Sequence, residues 1–125
     1  MARILIVEDD LSLRTELQIF LCNNGYEAEF LKTFEEALKS ILAAKPDLIL
    51  LDIGIPGVHG TYLCRSLREK SSIPIIMLTS SQSEADELLS LSYGADDYIT
   101  KPFNPQILLL RIERILNRMK GSNSK

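Results

Sequence analysis

The sequence predicts a doubly wound α/β fold, a parallel sheet with helices on both faces. Short apolar runs alternate with longer segments of helical periodicity, and this β-α unit occurs five times in 125 residues. The apolar runs show little polar alternation, which is typical of strands that are covered on both faces. The length suits one domain, and the chain contains no internal repeat.

Five strands are predicted from their residue types. Residues 3–7 (RILIV) form a continuous apolar run with β-branched residues. Residues 47–51 (DLILL) and 73–78 (IPIIML) are runs of the same kind, and residues 96–100 (DDYIT) are a weaker one. Residues 26–31 (YEAEFL) alternate more, so we expect a strand nearer the edge of the sheet.

The first three helices are predicted from periodicity and capping residues. One face of the first carries four apolar residues, Leu13, Leu17, Phe20 and Leu21. Thr33 and Glu36 have the spacing of a capping box, which predicts the start of the second helix. The third helix is expected over residues 61–70.

The last two helices have capping signals and clear apolar faces. Ser81 with Glu84 suits the start of the fourth helix, and Gly94 suits its C′ position. Asn104 is a good N-cap for the fifth, with Pro105 at the first helical position. The fourth helix is expected to face inward with Ala85, Leu88, Leu89 and Ser92. The fifth is expected to face inward with Leu108, Ile112, Ile115, Leu116 and Met119.

The composition excludes several classes of function. With a net charge of −3, the chain lacks the basic surface of a nucleic-acid-binding protein. Cys22 and Cys64 match no metal spacing, so we expect reduced thiols in a cytoplasmic protein. The N-terminus turns acidic too early for a signal peptide, and no apolar run approaches the ~20 residues that cross a bilayer.

Polar residues follow four of the predicted strands at the point where each ends. They are Glu8, Asp9 and Asp10 after the first, Asp52 after the third, Thr79 and Ser80 after the fourth, and Lys101 and Pro102 after the fifth. Because the carboxyl ends of parallel strands meet at one edge of the sheet, we expect these residues to converge there.

Converging carboxylates repel one another unless a cation neutralises them. Mg²⁺ fits best, since it binds one or two carboxylates and completes its shell with water and phosphate oxygens. A hydroxyl and an ammonium nearby suit the other oxygens of a phosphoryl group. An Asp can accept that group as an aspartyl phosphate. The pattern therefore indicates phosphoryl chemistry that depends on Mg²⁺.

Four motifs resemble the receiver domain of two-component response regulators: ILIVEDD, DLILLDIGIPGVHG, IIMLTSS and GADDYITKPF. The resemblance covers residues 2–119 and is strongest to the subfamily with winged-helix DNA-binding domains. It implies a flavodoxin-like (βα)5 fold with strand order 2-1-3-4-5. We therefore expect a receiver domain over residues 1–119. Residues 120–125 are expected to begin a linker to an effector domain absent from this chain.

The resemblance implies a role for each matched residue at the site. Asp52 is expected to accept a phosphoryl group from a sensor histidine kinase. Asp9 and Asp52 are expected to bind Mg²⁺, or Mn²⁺ in its place, together with the backbone carbonyl of Gly54. Glu8 is expected to act through a metal-bound water.

Three further residues resemble the family's switch residues. Thr79 matches the hydroxyl that moves to contact the phosphoryl group. Lys101 matches the lysine that pairs with it, and the Lys101–Pro102 bond is expected to be cis. Tyr98 matches the aromatic residue that turns inward on activation, although a simple packed strand residue is the alternative.

Several residues depart from the family's pattern or have a simpler interpretation. Gly54 stands where many relatives carry a larger side chain such as Met, and Ser80 stands where Ala is common. His59 replaces a frequent Asp and is expected to be a solvated loop residue, because the family's donor histidine lies on another protein. Asp10 matches no ligand and is expected to cap the first helix.

The last two helices also carry an outward pattern that suggests self-association. The outward side of the fourth helix is apolar and acidic, with Glu84, Glu87 and Leu91. That of the fifth is apolar and basic, with Ile107, Leu110, Arg111, Arg114 and Arg118. With Asp97, which matches an ion pair to Arg111, they resemble the dimer surface of the winged-helix subfamily. The family's basic–acidic helix pair is missing, since Glu87 and Ile107 occupy those positions. Ordinary solvated charges with scattered leucines are the alternative.

We therefore predict a signalling switch rather than an enzyme that turns over a metabolite. It is expected to dimerise when phosphorylated, to bind no membrane, and to reach DNA only through an absent C-terminal domain. A stand-alone receiver that acts by protein–protein binding is one alternative. An aspartyl-phosphate phosphatase is another, but such enzymes need an Asp where Gly54 stands.

Overall fold

The computed structural model describes residues 2–55, 57, 59–80 and 84–123, with side chains except at residues 84, 85 and 120–123. Strands and helices alternate along the chain. They are β1 (Arg3–Val7), α1 (Leu11–Asn23), β2 (Glu27–Phe30), α2 (Ala37–Ala44), β3 (Leu48–Leu51), α3 (Gly60–Lys70), β4 (Ile75–Thr79), α4 (Glu84–Ser92), β5 (Asp97–Thr100) and α5 (Pro105–Asn123). This order confirms the predicted α/β class.

The five strands run parallel in one sheet, in the order β2-β1-β3-β4-β5. The predicted strand order is therefore confirmed. The chain moves from β1 out to β2 and then returns to β3 on the other side of β1, so the winding reverses between β1 and β3. Their register aligns Val7 with Leu51, and the two strands end side by side. Doubly wound sheets bind ligands at such a reversal.

Each face of the sheet packs against its own hydrophobic core. Leu5 and Val7 of β1 point into the core that α2 and α3 complete. Ile4 and Ile6 point the other way, into the core that α1 and α5 complete. Because successive residues enter two different cores, an apolar residue is favoured at every position of the strand. This explains the continuous apolar runs of the sequence.

The structure confirms three of the predicted helix caps. Asp10 caps α1, with its Oδ1 accepting the Leu13 N–H at 3.1 Å. Asn104 caps α5, with its Oδ1 accepting the Gln106 N–H at 2.8 Å. Gly94 follows α4 with a φ of +107°, a left-handed conformation that glycine adopts without strain.

The capping box predicted for α2 is wrong. Glu36 has a φ of +54° and its side chain makes no capping hydrogen bond, so α2 begins at Ala37. Phe34 is half-buried against the core on this face, which holds the preceding turn in a non-helical conformation. Tertiary packing thus overrides a local capping pattern. Ser81, the cap predicted for α4, lies outside the described residues.

The inward face of α5 is largely as predicted. Its buried residues are Leu108, Leu109, Ile112 and Ile115. Leu116 is half-buried, whereas Met119 is exposed, because the helix leaves the core near its end. α5 continues to Asn123, beyond the domain boundary predicted at Met119. Neither α5 nor another helix in the described part of the chain is long and apolar enough to span a membrane.

The inward face of α4 differs from the predicted one. Leu88 is 69% exposed, and Leu89 and Ser92 are exposed as well. The buried residue is Ser90, with Tyr93 half-buried just beyond the helix. The C-terminal turn sets this orientation, because Tyr93 packs against the core and the carbonyl of Ser90 accepts an N–H bond from the turn. The leucine pattern alone therefore gives the wrong face.

Candidate functional site

Three carboxylates meet where β1 and β3 end. Glu8 and Asp9 follow β1, Asp52 follows β3, and these strands are neighbours in the sheet. One oxygen atom from each carboxylate lies within 4.8 Å of the other two. Glu8 and Asp52 are buried, whereas Asp9 is exposed to solvent. The structure thus brings together the acidic residues that the sequence placed at this edge.

Both carboxylate oxygens of Asp52 contact a fixed donor. Oδ1 accepts the Gly54 N–H at 3.0 Å, and Oδ2 lies 3.3 Å from the Nζ of Lys101. The backbone is anchored as well, because the Asp52 N–H donates to the Val7 carbonyl at 3.0 Å. Asp52 is 8% exposed, so its carboxylate is held in one orientation with a small opening to solvent.

Lys101 brings a positive charge to this cluster. The Lys101–Pro102 peptide bond is cis, as predicted, and the Lys101 N–H donates to the Thr79 carbonyl at 2.7 Å. Its Nζ donates to the carboxylates of Glu8 and Asp52. Burial alone would lower the pKa of Lys101, but the hydrogen bond to Glu8 and the charge of Asp52 outweigh it and raise that pKa. The ammonium therefore stays charged at neutral pH.

Glu8 has a strongly shifted pKa. Burial raises the pKa of Glu8 to about 7, against the opposing effect of its hydrogen bonds with Lys101 and the Asp10 N–H. The Asp10 N–H bond spans 3.1 Å, and the nearby charge of Asp52 raises the pKa further. Glu8 is therefore only partly charged at neutral pH, and an added cation would favour its charged form.

The donor set fits a divalent cation of the Mg²⁺ type. Its atoms are hard carboxylate oxygens, and three carboxyl groups face a single ammonium among the described contacts of the cluster. Gly54 is exposed beside them, and among the described residues other than its chain neighbours, a Cβ added to it would meet Asp52 Oδ1 alone within 4 Å, at 3.8 Å. The space next to Asp52 is therefore open to a small ligand.

The two residues predicted to act as switches lie on neighbouring strands. Thr79 ends β4 and is 2% exposed, and the register places it beside Thr100 of β5. Tyr98 of β5 is half-buried and packs against the core on the α2 and α3 face. Ser80, which follows Thr79, is exposed. The switching roles of Thr79 and Tyr98 stay predictions.

Sequence reasoning missed how the loop after Asp52 is anchored. His59 is the N-cap of α3: its Nδ1 accepts the Thr61 N–H at 3.3 Å and lies 2.7 Å from the Thr61 hydroxyl. The next residue, Gly60, packs against the backbone of Ile53, where an added Cβ would come within 2.4 Å of the Ile53 Cα. The start of α3 is thus fixed directly behind Asp52. A glycine at the first position of a helix was the available signal.

The residues predicted for a dimer surface lie at the surface, on α4, β5 and α5. Asp97 and Arg111 form a two-pronged ion pair within the chain, with both N–O distances at 2.8 Å. Arg118 lies 3.5 Å from Asp96, and Arg114 is exposed. The other predicted residues with described side chains are also exposed: Glu87, Leu91, Ile107 and Leu110. The side chain of Glu84 lies outside the described part.

The model of the response regulator receiver domain family matches residues 4–113 of this chain. Curated relatives agree. The chain is 41% identical over 120 residues to the uncharacterized transcriptional regulatory protein YclJ of Bacillus subtilis, covering 96% of this chain and 53% of YclJ. It is 43% identical over 116 residues to the DNA-binding response regulator MtrA of Mycobacterium leprae, covering 93% of this chain and 52% of MtrA.

Solved structures lead to the same family. The activated N-terminal receiver domain of Klebsiella pneumoniae RstA superposes with a TM-score of 0.86 at 39% identity, covering 91% of this chain and 97% of that one. A CheY-like receiver domain protein from Methanospirillum hungatei gives a TM-score of 0.90 at 35% identity, covering 98% of both chains. The chain belongs to the receiver domains of two-component response regulators. It spans about half the length of the curated relatives that it matches.

Proposed function

We propose that this receiver is a phosphorylation-dependent switch that accepts a phosphoryl group on Asp52 from a sensor histidine kinase. The observation that carries the proposal is the cluster of Glu8, Asp9 and Asp52 with the Lys101 ammonium on two of its members. A buried Asp with one oxygen on an amide and the other beside a lysine is oriented for attack on phosphorus.

The residues divide the reaction between them. One Asp52 oxygen forms the new bond to phosphorus while the bond from phosphorus to the donor imidazole nitrogen breaks, and the electron pair stays on that nitrogen. Asp9 and Asp52, with the Gly54 carbonyl, would hold Mg²⁺ or Mn²⁺, and Glu8 would act through a water. When bound, such a cation would supply the positive charge that carboxylates and a phosphoryl group require together. Lys101 exchanges part of its contact with Asp52 for a phosphoryl oxygen.

The phosphoryl group would then change the surface formed by α4, β5 and α5. Thr79 ends β4 near the site, and Lys101 N–H is bonded to its carbonyl, so a movement at either residue reaches β5. Tyr98 lies on β5, which forms part of that surface, and packs against the core on the α2 and α3 face. We propose that phosphorylation shifts an existing equilibrium between two arrangements of this surface rather than creating a new one.

Dimerisation through this surface is the proposed output. Leu88 and Leu91 of α4 and Ile107 and Leu110 of α5 are exposed apolar residues, and Leu110 is 61% exposed. In a two-fold dimer the acidic side of α4 would meet basic residues of the partner. Because the matched relatives are about twice as long and one is named as DNA-binding, we propose that the whole protein controls transcription through a further domain.

The chain is proposed to assist its own phosphorylation and dephosphorylation without turning over an external substrate. A stand-alone receiver that acts by binding another protein is the second candidate. It is supported by the match to a CheY-like chain over 98% of both lengths. The length of the natural gene product distinguishes the two, because the second candidate needs no effector domain.

Intact mass spectrometry tests the phosphorylation directly. The protein is incubated with Mg²⁺ and a small phosphodonor, and Asp52→Asn is treated in the same way. We expect one phosphoryl adduct on the wild type and none on the variant. When a chelator is present during the incubation, we expect no adduct on the wild type either. An unlabelled wild type, or equal labelling of the Asp52→Asn variant, would overturn the proposal.

A further inference from the structure

Helix α4 buries a polar side chain and exposes its leucines. Among the described side chains of α4, Ser90 is the buried one, and its exposed fraction is 0%. Leu88, Leu89 and Leu91 are exposed and pack against neither core. At about 100° per residue the three leucines share one side of the helix, and Ser90 lies opposite them. The helix therefore presents its apolar side to solvent and a polar residue to the protein interior.

The hydroxyl of Ser90 has no hydrogen-bond partner among the described residues, although its oxygen is buried. Burying a hydroxyl without a partner opposes the buried arrangement, because the group loses its bonds with water. The serine hydroxyl is small and gives little apolar contact in return. Burial of Ser90 therefore destabilises the packed position of α4, whereas an apolar side chain at an inward helix position normally stabilises it.

The other helices have apolar anchors. α1 buries Leu17 and Leu21, α2 buries Ile41, and α3 buries Leu63 and Leu67. The C-terminal turn of α4 is anchored by hydrogen bonds: the Ala95 N–H donates to the Ser90 carbonyl at 3.0 Å, and Arg68 donates to the Gly94 carbonyl at 2.9 Å. Among the described side chains of α4, residues 86–92, no apolar one is buried.

We propose that Ser90 is a built-in destabiliser of α4, which keeps this helix ready to leave its position on the sheet. Helices with few buried apolar contacts open locally at low free energy cost, independently of the rest of the domain. The inference deepens the proposed function, because the surface that phosphorylation is proposed to change contains α4. The unpaired hydroxyl lowers the cost of that change.

Hydrogen exchange measured by mass spectrometry on the unphosphorylated chain tests the proposal. We expect the α4 amides to exchange at least about tenfold faster than those of α3, since local opening releases α4 alone. Ser90→Ala removes the hydroxyl and should slow exchange of α4 about fivefold, the factor that corresponds to about 1 kcal/mol. Exchange in α1, α3 and α5 should not change.

Two further variants identify the cause. Ser92→Ala makes the same substitution at an exposed position of α4, where the hydroxyl bonds the Leu89 carbonyl at 3.0 Å. It should not slow exchange. Ser90→Cys keeps the size of the side chain but has little need for a hydrogen bond, so it should act like Ser90→Ala. Slow exchange of α4 in the wild type, or equal effects of Ser90→Ala and Ser92→Ala, would overturn the proposal.

A second measurement links Ser90 to signalling and rests on the proposed function. If α4 must move for the phosphorylated chain to dimerise, Ser90→Ala should weaken the phosphorylated dimer about fivefold in sedimentation experiments. A protein that takes no phosphoryl group would refute the proposed function and leave the exchange result standing. A phosphorylated variant that dimerises as tightly as the wild type would refute the link between Ser90 and the switch.

Discussion

Glu8 and Asp9 are adjacent acidic residues with different environments. Glu8 is buried against Lys101 and Asp52, whereas the side chain of Asp9 is exposed. Their positions after β1 were predictable, because an apolar run ends in acidic residues. Which of the two side chains is buried was not predictable. Burial depends on which one points towards the other carboxylates and on a lysine 93 positions away in the sequence. The raised pKa of Glu8 follows from that burial.

In the metal-free protein, Glu8 should make the free energy of unfolding decrease as the pH rises. Its pKa is raised from 4.5 to about 7, so between these values the folded state binds a proton that the unfolded chain has lost. This contribution is complete below pH 4.5 and is lost as the pH rises through 7. Glu8→Gln should remove this part of the pH dependence, and Glu16→Gln on the exposed side of α1 should keep it. Urea unfolding with a chelator measures both; parallel curves for Glu8→Gln and wild type would contradict the assignment.

Lys45 is the C-cap that follows α2, and its φ of +50° costs a residue with a Cβ roughly 1–2 kcal/mol. Lys45→Gly should therefore raise the free energy of unfolding by about 1 kcal/mol. Its carbonyl would still accept the Arg3 guanidinium. Lys39→Gly, at an exposed position inside the same helix, should lower it by about 1 kcal/mol. Equal losses for both variants in urea unfolding would refute the strain at Lys45.

The two cysteines should differ in reactivity. Burial raises the pKa of the Cys64 thiol to about 11, and the residue is fully buried, whereas Cys22 is exposed. At pH 8 a disulfide reagent should modify one thiol per chain rapidly, because thiolate and access are both needed. Cys22→Ser should remove the rapid phase, and urea should expose the second thiol. Two rapid thiols in the folded wild type would show that Cys64 is accessible.

At the scale of elements, strands were predicted well and helix faces less well, for a physical reason. A strand between two cores needs apolar residues at successive positions, and a short run of this kind rich in β-branched residues favours a strand over a helix. Which face of a helix is buried depends on the elements against which the helix packs. At α2, the packing of Phe34 against the core replaces the capping box predicted from Thr33 and Glu36. At α4, the turn at Gly94 fixes which face is buried, and the leucines are left exposed. Both effects act through tertiary contacts, which a local pattern does not show.

The junction of β3 with α3 gives a test at this scale. Gly60→Ala places a Cβ 2.4 Å from the Ile53 Cα, so the start of α3 must move away from the loop behind Asp52. We expect a loss of about 1–3 kcal/mol in the free energy of unfolding and weaker Mg²⁺ binding. Gly54→Ala meets ordinary contact at 3.8 Å and should change stability by less than about 0.5 kcal/mol. Urea unfolding measures the stability of both variants, and titration with Mg²⁺ measures their affinity. Equal losses in Gly60→Ala and Gly54→Ala would contradict this prediction.

At the scale of the molecule, the site and the proposed dimer surface share β5. Lys101 follows β5 and contacts the carboxylates, while Asp97 begins β5 and holds Arg111 of α5. The motifs predicted which strands carry these residues. They could not show that Asp97 and Arg111 pair within one chain, because the family's pattern describes them as an interface pair.

Arg111→Glu should abolish dimerisation of the phosphorylated chain. The substitution replaces an ion pair of 2.8 Å with two like charges on the proposed surface. Asp97→Lys combined with Arg111→Glu restores opposite charges and should recover part of the dimer. Molar mass by light scattering after phosphorylation measures the result. A full dimer in Arg111→Glu would refute the assigned surface.

The long separations within the site bear on the synthesis of the protein. Asp52 meets Lys101 across 49 positions, and Glu8 meets it across 93. A chain emerging from the ribosome therefore presents its acidic residues long before the lysine that orients them. Until β5 has been made and added to the edge of the sheet, Asp52 lacks one of its two donors. We expect nascent chains to be poor phosphoryl acceptors, so that a signal is received only by a domain that is completely folded.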